Sequence, residues 1–184
     1  MNAQRRTLTA EQIVDAARTA IDEDGLASLS MRRLGARLGV DPMAIYHHVD
    51  NKQTLLSLVV ERVMSELPAL DSAAPWDDRV RSWAMSYWRL VRANRDVVAA
   101  ALSDSFIARG GVSVTQPLVD ALTVSGIDQA RVEPAAYLVV DAVHGSALSG
   151  VGVDDSGDGQ LMAWFEAGLE IIVAGIAASA RPTD

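Results

Sequence analysis

Residues 30–52, SMRRLGARLGVDPMAIYHHVDNK, constrain this chain more than any other stretch, because their helix starts and stops are spelled out residue by residue. Leu34 and Leu38 are four apart and share one face of a short helix. Ser30 precedes it as an N-cap whose hydroxyl can accept an orphaned backbone N–H. Gly39 ends it, since a sharp turn needs a residue that tolerates positive φ. Asp41-Pro42 restarts the chain with a capping carboxylate and a proline at the first helical position. The second helix turns Val40, Ile45 and Val49 inward and leaves Met43, Ala44, Tyr46 and His47 outward. Gly35 lies where the two helices cross, and a side chain there would push them apart. The pattern is a helix-turn-helix, a rigid reading helix of the shape that enters a major groove.

The remaining pattern is helical throughout, which predicts an all-α fold. A first helix runs from about Ala10 to Asp24, with Thr9 and Gln12 as a capping box and Gly25 as its stop. Ile13, Ala17, Ala20 and Ile21 form its apolar stripe. Arg5 and Arg6 precede it on an arm expected to be mobile. A fourth helix is predicted to begin at Asp50, capped with Gln53, and to bury Leu55, Leu58, Val59 and Val63. Proline and small residues in LPALDSAAP mark a boundary, so residues 1–66 are read as the head and 67–184 as a second domain. A fifth helix starts near Trp76 and repeats Trp76, Val80, Trp83, Tyr87 and Leu90. Shorter helices follow over about 96–103 and 113–125, then two long ones over about 133–150 and 160–180. The acidic GVGVDDSGDG lies between the last two. No alternating strand pattern and no internal repeat is evident.

Charge sharpens the division. The net charge of the 184-residue chain is −8. Residues 1–64 carry eight basic and eight acidic side chains, so the whole excess of acid lies beyond them. Within the helix-turn-helix, Arg32, Arg33, Arg37 and Lys52 outnumber Asp41 and Asp50. A locally basic head on an acidic body suits oriented binding to a polyanion, with a clear salt dependence. The chain has no cysteine, which excludes a disulfide framework and thiolate chemistry. No apolar run follows Arg5-Arg6, and the greasiest segment, 167–180, reads as too short to span a bilayer. A soluble cytoplasmic protein with no membrane partner is expected.

Residues 9–64, and GVDPMAIYHHVDNKQTLL above all, resemble the N-terminal domain of the Tet repressor (TetR) family of bacterial transcription factors. The resemblance covers about the first third of the chain. It implies a three-helix DNA-binding head on a C-terminal helical bundle for ligand binding and dimerisation, and a repressor released from a palindromic operator by a small molecule. Arg32 matches an arginine that contacts guanine in the Tet repressor, for which a bidentate pair to O6 and N7 is apt. Pro42, Met43 and Ala44 fall on base-facing positions, where the Tet repressor carries a glutamine and a threonine. This apolar face can touch thymine methyls but offers adenine no amide, so a different operator is implied. Tyr46, His47, His48 and Lys52 match phosphate-clamping positions, with His47 able to reach a base. Asn51 is better read as start-of-helix chemistry. Adjacent histidines point about 100° apart on a helix and make a poor chelate.

In the last helix pair, Leu138, Ala142, Gly145 and Ser149 make a stripe of small residues, and Leu161, Phe165, Leu169, Ile172 and Ile176 a bulky one. Two such hairpins would form a four-helix homodimer seam, the favoured reading over packing of both stripes within one subunit. Trp83, Tyr87 and Trp88, with Phe106, Tyr137, Asp141 and His144, are candidate lining for a pocket that takes an apolar or aromatic effector. Each could also be ordinary core. Asp141 and His144 are three apart and could hydrogen-bond, either towards a ligand or at the dimer seam. The competing reading is an all-helical binding protein or enzyme using that pair in an aromatic pocket. It lacks a nucleophile elbow, phosphate loop or metal spacing. No cofactor and no metal are expected.

Overall fold

A computed structural model describes residues 8–149 and 158–180. Every regular element among them is helical, in the order α1 (Ala10–Asp24), α2 (Met31–Leu38), α3 (Pro42–Tyr46), α4 (Lys52–Met64), α5 (Trp76–Ala93), α6 (Arg95–Ser103), α7 (Gln116–Thr123), α8 (Gln129–Ala147) and α9 (Asp158–Ala178). Short 3-10 segments at Leu26–Ser28 and Ile107–Thr115 join them. The Arg5-Arg6 arm and most of the acidic GVGVDDSGDG segment lie outside the described residues.

The chain forms two compact units, residues 1–65 with 96–112, and residues 66–95 with 113–184. The sequence reading assigns residues 96–112 to its second domain. Those residues pack instead with the head: Gln53 at the start of α4 donates to the Asp104 carboxylate at 2.8 Å, and Gly111 lies against Val60 and Met64.

In the first unit, α1 packs on α2 and α4, and α2 on α3. Ile13, Ala17, Leu34, Ile45, Val49, Leu55, Val59 and Val63 are essentially sealed from solvent and make its core. The Thr9–Gln12 capping box is present in both directions, and Gly25 terminates α1 at φ +78°. Helix α4 begins one residue later than the sequence reading has it. Asn51, not Asp50, is its cap: the amide oxygen accepts from the Thr54 backbone N–H at 2.9 Å, while Asp50 stays exposed.

In the second unit α5 is central, touching α7, α8 and α9. Its buried face is Val80, Trp83, Ala84, Tyr87, Trp88, Val91 and Arg92, broader than a single i, i+4 stripe because neighbours cover it from several sides. Helix α8 starts four residues before the expected 133, since Asp128 accepts from the Ala130 N–H at 3.0 Å and Pro134 is accommodated inside the helix. Arg81 ties α5 to α9 through a two-pronged pair to Glu170 at 2.7 and 3.1 Å, while also holding Asp77 at 2.7 Å. The Arg81 hydrogen bond lowers the pKa of both acids and raises its own.

Helix α9 starts well before the greasy 167–180 segment and so is longer than that segment. Counted from Gly159 to Ala178 it is long and apolar enough by composition to cross a membrane, despite Glu166 and Glu170. Here it buries Phe165, Leu169, Val173 and Ile176, and leaves Trp164 and Ile171 exposed.

Candidate functional site

The reading helix is built by local chemistry. Ser30 Oγ accepts from the Arg33 N–H, Gly39 turns the chain at φ +68°, and Asp41 Oδ1 accepts from the Met43 N–H at 2.8 Å with Pro42 at the first turn. Each such cap contributes about 1 kcal/mol. Gly35 is buried, and a Cβ on it would meet the Val40 carbonyl oxygen at 3.0 Å and Pro42 at 3.3 Å. The absence of that one side chain sets how closely α3 can approach α2.

Buried Ile45 and Val49 hold the inner face of α3. Its outer face offers Met43, the most exposed large apolar side chain of the unit at 62%, with Tyr46 at 41% and both His47 and His48 exposed. Pro42 and Ala44 are half-buried beside them. The expected base-facing and phosphate-facing residues of this segment are therefore all at least partly accessible.

The basic side chains divide by what they hold. Arg33 donates to the Ser28 carbonyl at 3.2 Å, Arg37 pairs with Glu23 at 2.6 Å, and Arg62 pairs with Asp15 at 3.3 Å. Arg32 is exposed and makes no hydrogen bond or ion pair among the described residues, which leaves its guanidinium available. Lys52 donates to the Leu29 carbonyl at 2.7 Å, a contact 23 residues away in sequence that ties the start of α4 to the segment before α2. It thus has a structural role that its match to a phosphate clamp does not include.

This geometry has parallels in known proteins. The family model of bacterial regulatory proteins, tetR family, matches residues 13–59. An HTH-type transcriptional regulator of Saccharopolyspora erythraea is 28% identical over 94% of this chain and 86% of its own length. BioQ, solved with its natural double-stranded DNA operator, is 28% identical with a TM-score of 0.76, covering 93% of this chain and 99% of that one. The Streptomyces coelicolor protein ActR, solved with actinorhodin, is 26% identical with a TM-score of 0.74, covering 94% and 98%. The chain belongs to the TetR family. Its relatives are transcriptional regulators, and the all-α plan of head and helical bundle is that of the TetR fold.

In a TetR protein the second unit is where an effector is sought, and here the sequence candidates separate. Trp83, Tyr87, Trp88 and His144 converge. The Trp83 and Tyr87 rings are 4.8 Å apart, Tyr87 Oη is hydrogen-bonded to His144 Nε2 at 2.8 Å, and Trp88 stacks on Phe165. Trp83 donates its indole N–H to the Val114 carbonyl and Trp88 to the Ser146 hydroxyl, so both tryptophans are sealed and satisfied. Burial pushes the Tyr87 phenol up to about 12 and lowers His144, with Asp141 pulling the imidazole weakly the other way. Burial thus disfavours the charged form of both groups.

The other three candidates stand apart. The expected Asp141–His144 hydrogen bond is replaced by the one to Tyr87, because α5 packs against the His144 side of α8 while Asp141 faces out. Tyr137 is 66% exposed, one face away from the aromatic cluster. Phe106 belongs to the first unit, with the Arg109 guanidinium 5.3 Å over its ring. An acid–base pair for catalysis is therefore not assembled at Asp141 and His144.

Sequence reasoning also missed the role of Arg92. It is 8% exposed and donates to the Ala147 and Ser149 carbonyls, satisfying the C-terminal end of α8. Among the described residues no group of three histidine or carboxylate side chains is placed to hold a metal.

Proposed function

We propose that this protein is a ligand-responsive DNA-binding transcriptional repressor rather than an enzyme, acting in the cytoplasm as a homodimer on a palindromic operator. The observation that carries the reading is the capped α2–α3 turn, which leaves Met43, Tyr46, His47 and His48 exposed over buried Ile45 and Val49, with the Arg32 guanidinium on α2 exposed and available. BioQ, similar over nearly its whole length, binds an operator duplex. Met43, Ala44 and Pro42 lie on the bases, Arg32 pairs with a guanine, and Tyr46, His47, His48 and Lys52 lie along phosphates.

Dimerisation uses the outer face of α8 and α9. Leu138, Trp164 and Ile171 are each more than half exposed there, and open grooves of about 430 and 310 Å³ run between the two helices. Isolated apolar residues on a surface are ordinary, but a continuous apolar face of this kind marks an interface. Symmetry then gives two reading helices for two half-sites.

The effector is an apolar or aromatic small molecule taken into the second unit; to reach the Tyr87–His144 pair as its polar anchor it must part the sealed Trp83 and Trp88 rings. ActR, its likeness in fold and sequence, binds actinorhodin. About 2.7 kcal/mol of coupling suffices for a hundredfold loss of DNA affinity. The test is binding of duplexes selected from a random library, followed by fluorescence anisotropy. Arg32→Ala is expected to cost about 1–3 kcal/mol and to relax preference at one base pair per half-site. Equal loss on every duplex would make Arg32 a phosphate anchor, and failure to select any duplex would end the DNA-binding reading.

A further inference from the structure

The exposed chemistry of α3 is unusual for a helix that must tell bases apart. Base edges are discriminated best by side chains that make paired hydrogen bonds, namely arginine, asparagine, glutamine or a free carboxylate. None of these lies within α3 itself. The preceding Asp41 is its cap, held through Oδ1, which accepts from the Met43 N–H, and the side chains of the front turn are Pro42, Met43 and Ala44. Tyr46 and the two histidines follow at the far end of the helix, and none presents a two-pronged donor–acceptor fork. On α2, Arg33 and Arg37 are engaged with Ser28 and Glu23, which leaves Arg32 as the guanidinium available for a guanine. Met43 is the longest of the front-turn side chains and 62% exposed, so it reaches furthest into whatever α3 docks against.

In the major groove the only apolar feature of a base pair is the C5 methyl group of thymine. Resting on the DNA-binding reading above, we propose that this head discriminates bases at α3 mainly through pyrimidine C5 methyls, with Met43 as the contacting side chain, so that thymine and 5-methylcytosine are read alike there. A thymine methyl under the flexible Met43 thioether removes apolar surface from water on both partners. Unmethylated cytosine or uracil leaves that side chain against a polar edge. The preference carries no ionic component, so unlike the affinity as a whole it is independent of salt.

The experiment uses the full chain and a duplex selected from a random library. Each thymine is replaced by deoxyuridine, symmetrically in both half-sites and one position at a time. At the Met43 step, C·G and 5-methylcytosine·G pairs are then compared. Deoxyuridine is expected to weaken binding by about fourfold per methyl at one or two steps per half-site, the value of one buried methyl-sized group. 5-Methylcytosine should bind tighter than cytosine by a similar factor, and both ratios should hold from low to high salt. In Met43→Ala, whose exposed site makes misfolding no concern, the uracil penalty at its step should fall towards one. Uracil duplexes that all bind as well as the selected one, or a penalty that persists in full in Met43→Ala, would overturn the inference while leaving DNA binding intact. Failure to select any duplex would remove the DNA-binding reading and this inference together.

Discussion

Gly35→Ala sets two well-known effects against each other inside the reading head. Alanine is the better helix former by about 1 kcal/mol, which on an open helix surface would stabilise α2. At Gly35 the new Cβ would stand 3.0 Å from the Val40 carbonyl oxygen and 3.3 Å from both the Pro42 nitrogen and its Cγ. These neighbours are backbone and a proline ring, so no flexible side-chain end can swing aside. They are also pinned, because the Val40 N–H donates to the Gly35 carbonyl at 3.0 Å and Asp41 caps the next helix. Overpacking of this kind costs about 1–3 kcal/mol. The rigidity of the neighbours puts the cost in the upper half of that range, leaving a net destabilisation of about 1–2 kcal/mol. For a unit of this size that corresponds to a fall of about 4–8 °C in melting temperature per kcal/mol. Because the strain is relieved by moving α3 off α2, operator affinity should fall by more than the unfolded fraction accounts for. Thermal unfolding by circular dichroism and anisotropy at a temperature where both proteins are folded separate the two effects. A variant that melts at or above the wild-type temperature and binds normally would refute the reasoning, showing that helix propensity wins and that the close approach is not limiting.

Gly168→Ala supplies the contrasting case on α9, where an added Cβ meets nothing within its own chain. If a second copy covers that face, the variant should weaken the dimer in sedimentation equilibrium despite its higher helix propensity, whereas unchanged or tighter association would place the seam elsewhere. The Tyr87–His144 pair predicts a pH effect of definite sign. Burial lowers the folded-state pKa of His144 below its ordinary 6.5, so its contribution to stability is complete above about that pH and is lost as pH falls towards the depressed folded value. Denaturant unfolding of wild type and His144→Gln between pH 7.5 and about 5 should therefore converge at acid pH. Parallel curves would mean that the histidine is not held neutral by burial.

What the sequence settled by itself is the set of features closed within a few residues. The Thr9–Gln12 box, the Ser30 and Asp41 caps and the left-handed Gly39 each depend on hydrogen bonds over two to four positions, so residue type and spacing determine them. Even the Gly35 crossing was legible, because the turn after it is too short to move the second helix elsewhere. Where two residues could perform the same local task the pattern was ambiguous, as with Asp50 and Asn51, and the backbone at Asn51 decided it. Only the tertiary structure decided the rest. Periodicity marks Trp83 as inward-facing and leaves Trp88 off the stripe, and whether either ring meets a cavity or an acceptor depends on partners 31 and 58 residues away. Spacing offers His144 one local partner, Asp141, and the packing of α5 on α8 supplies Tyr87 instead. Arg81 with Glu170, Lys52 with Leu29 and the return of residues 96–112 to the head likewise join segments that no local rule relates. Helix formation is set by short-range hydrogen bonds and backbone entropy, whereas the choice among helix partners depends on the whole apolar surface that the folded chain can bury at once.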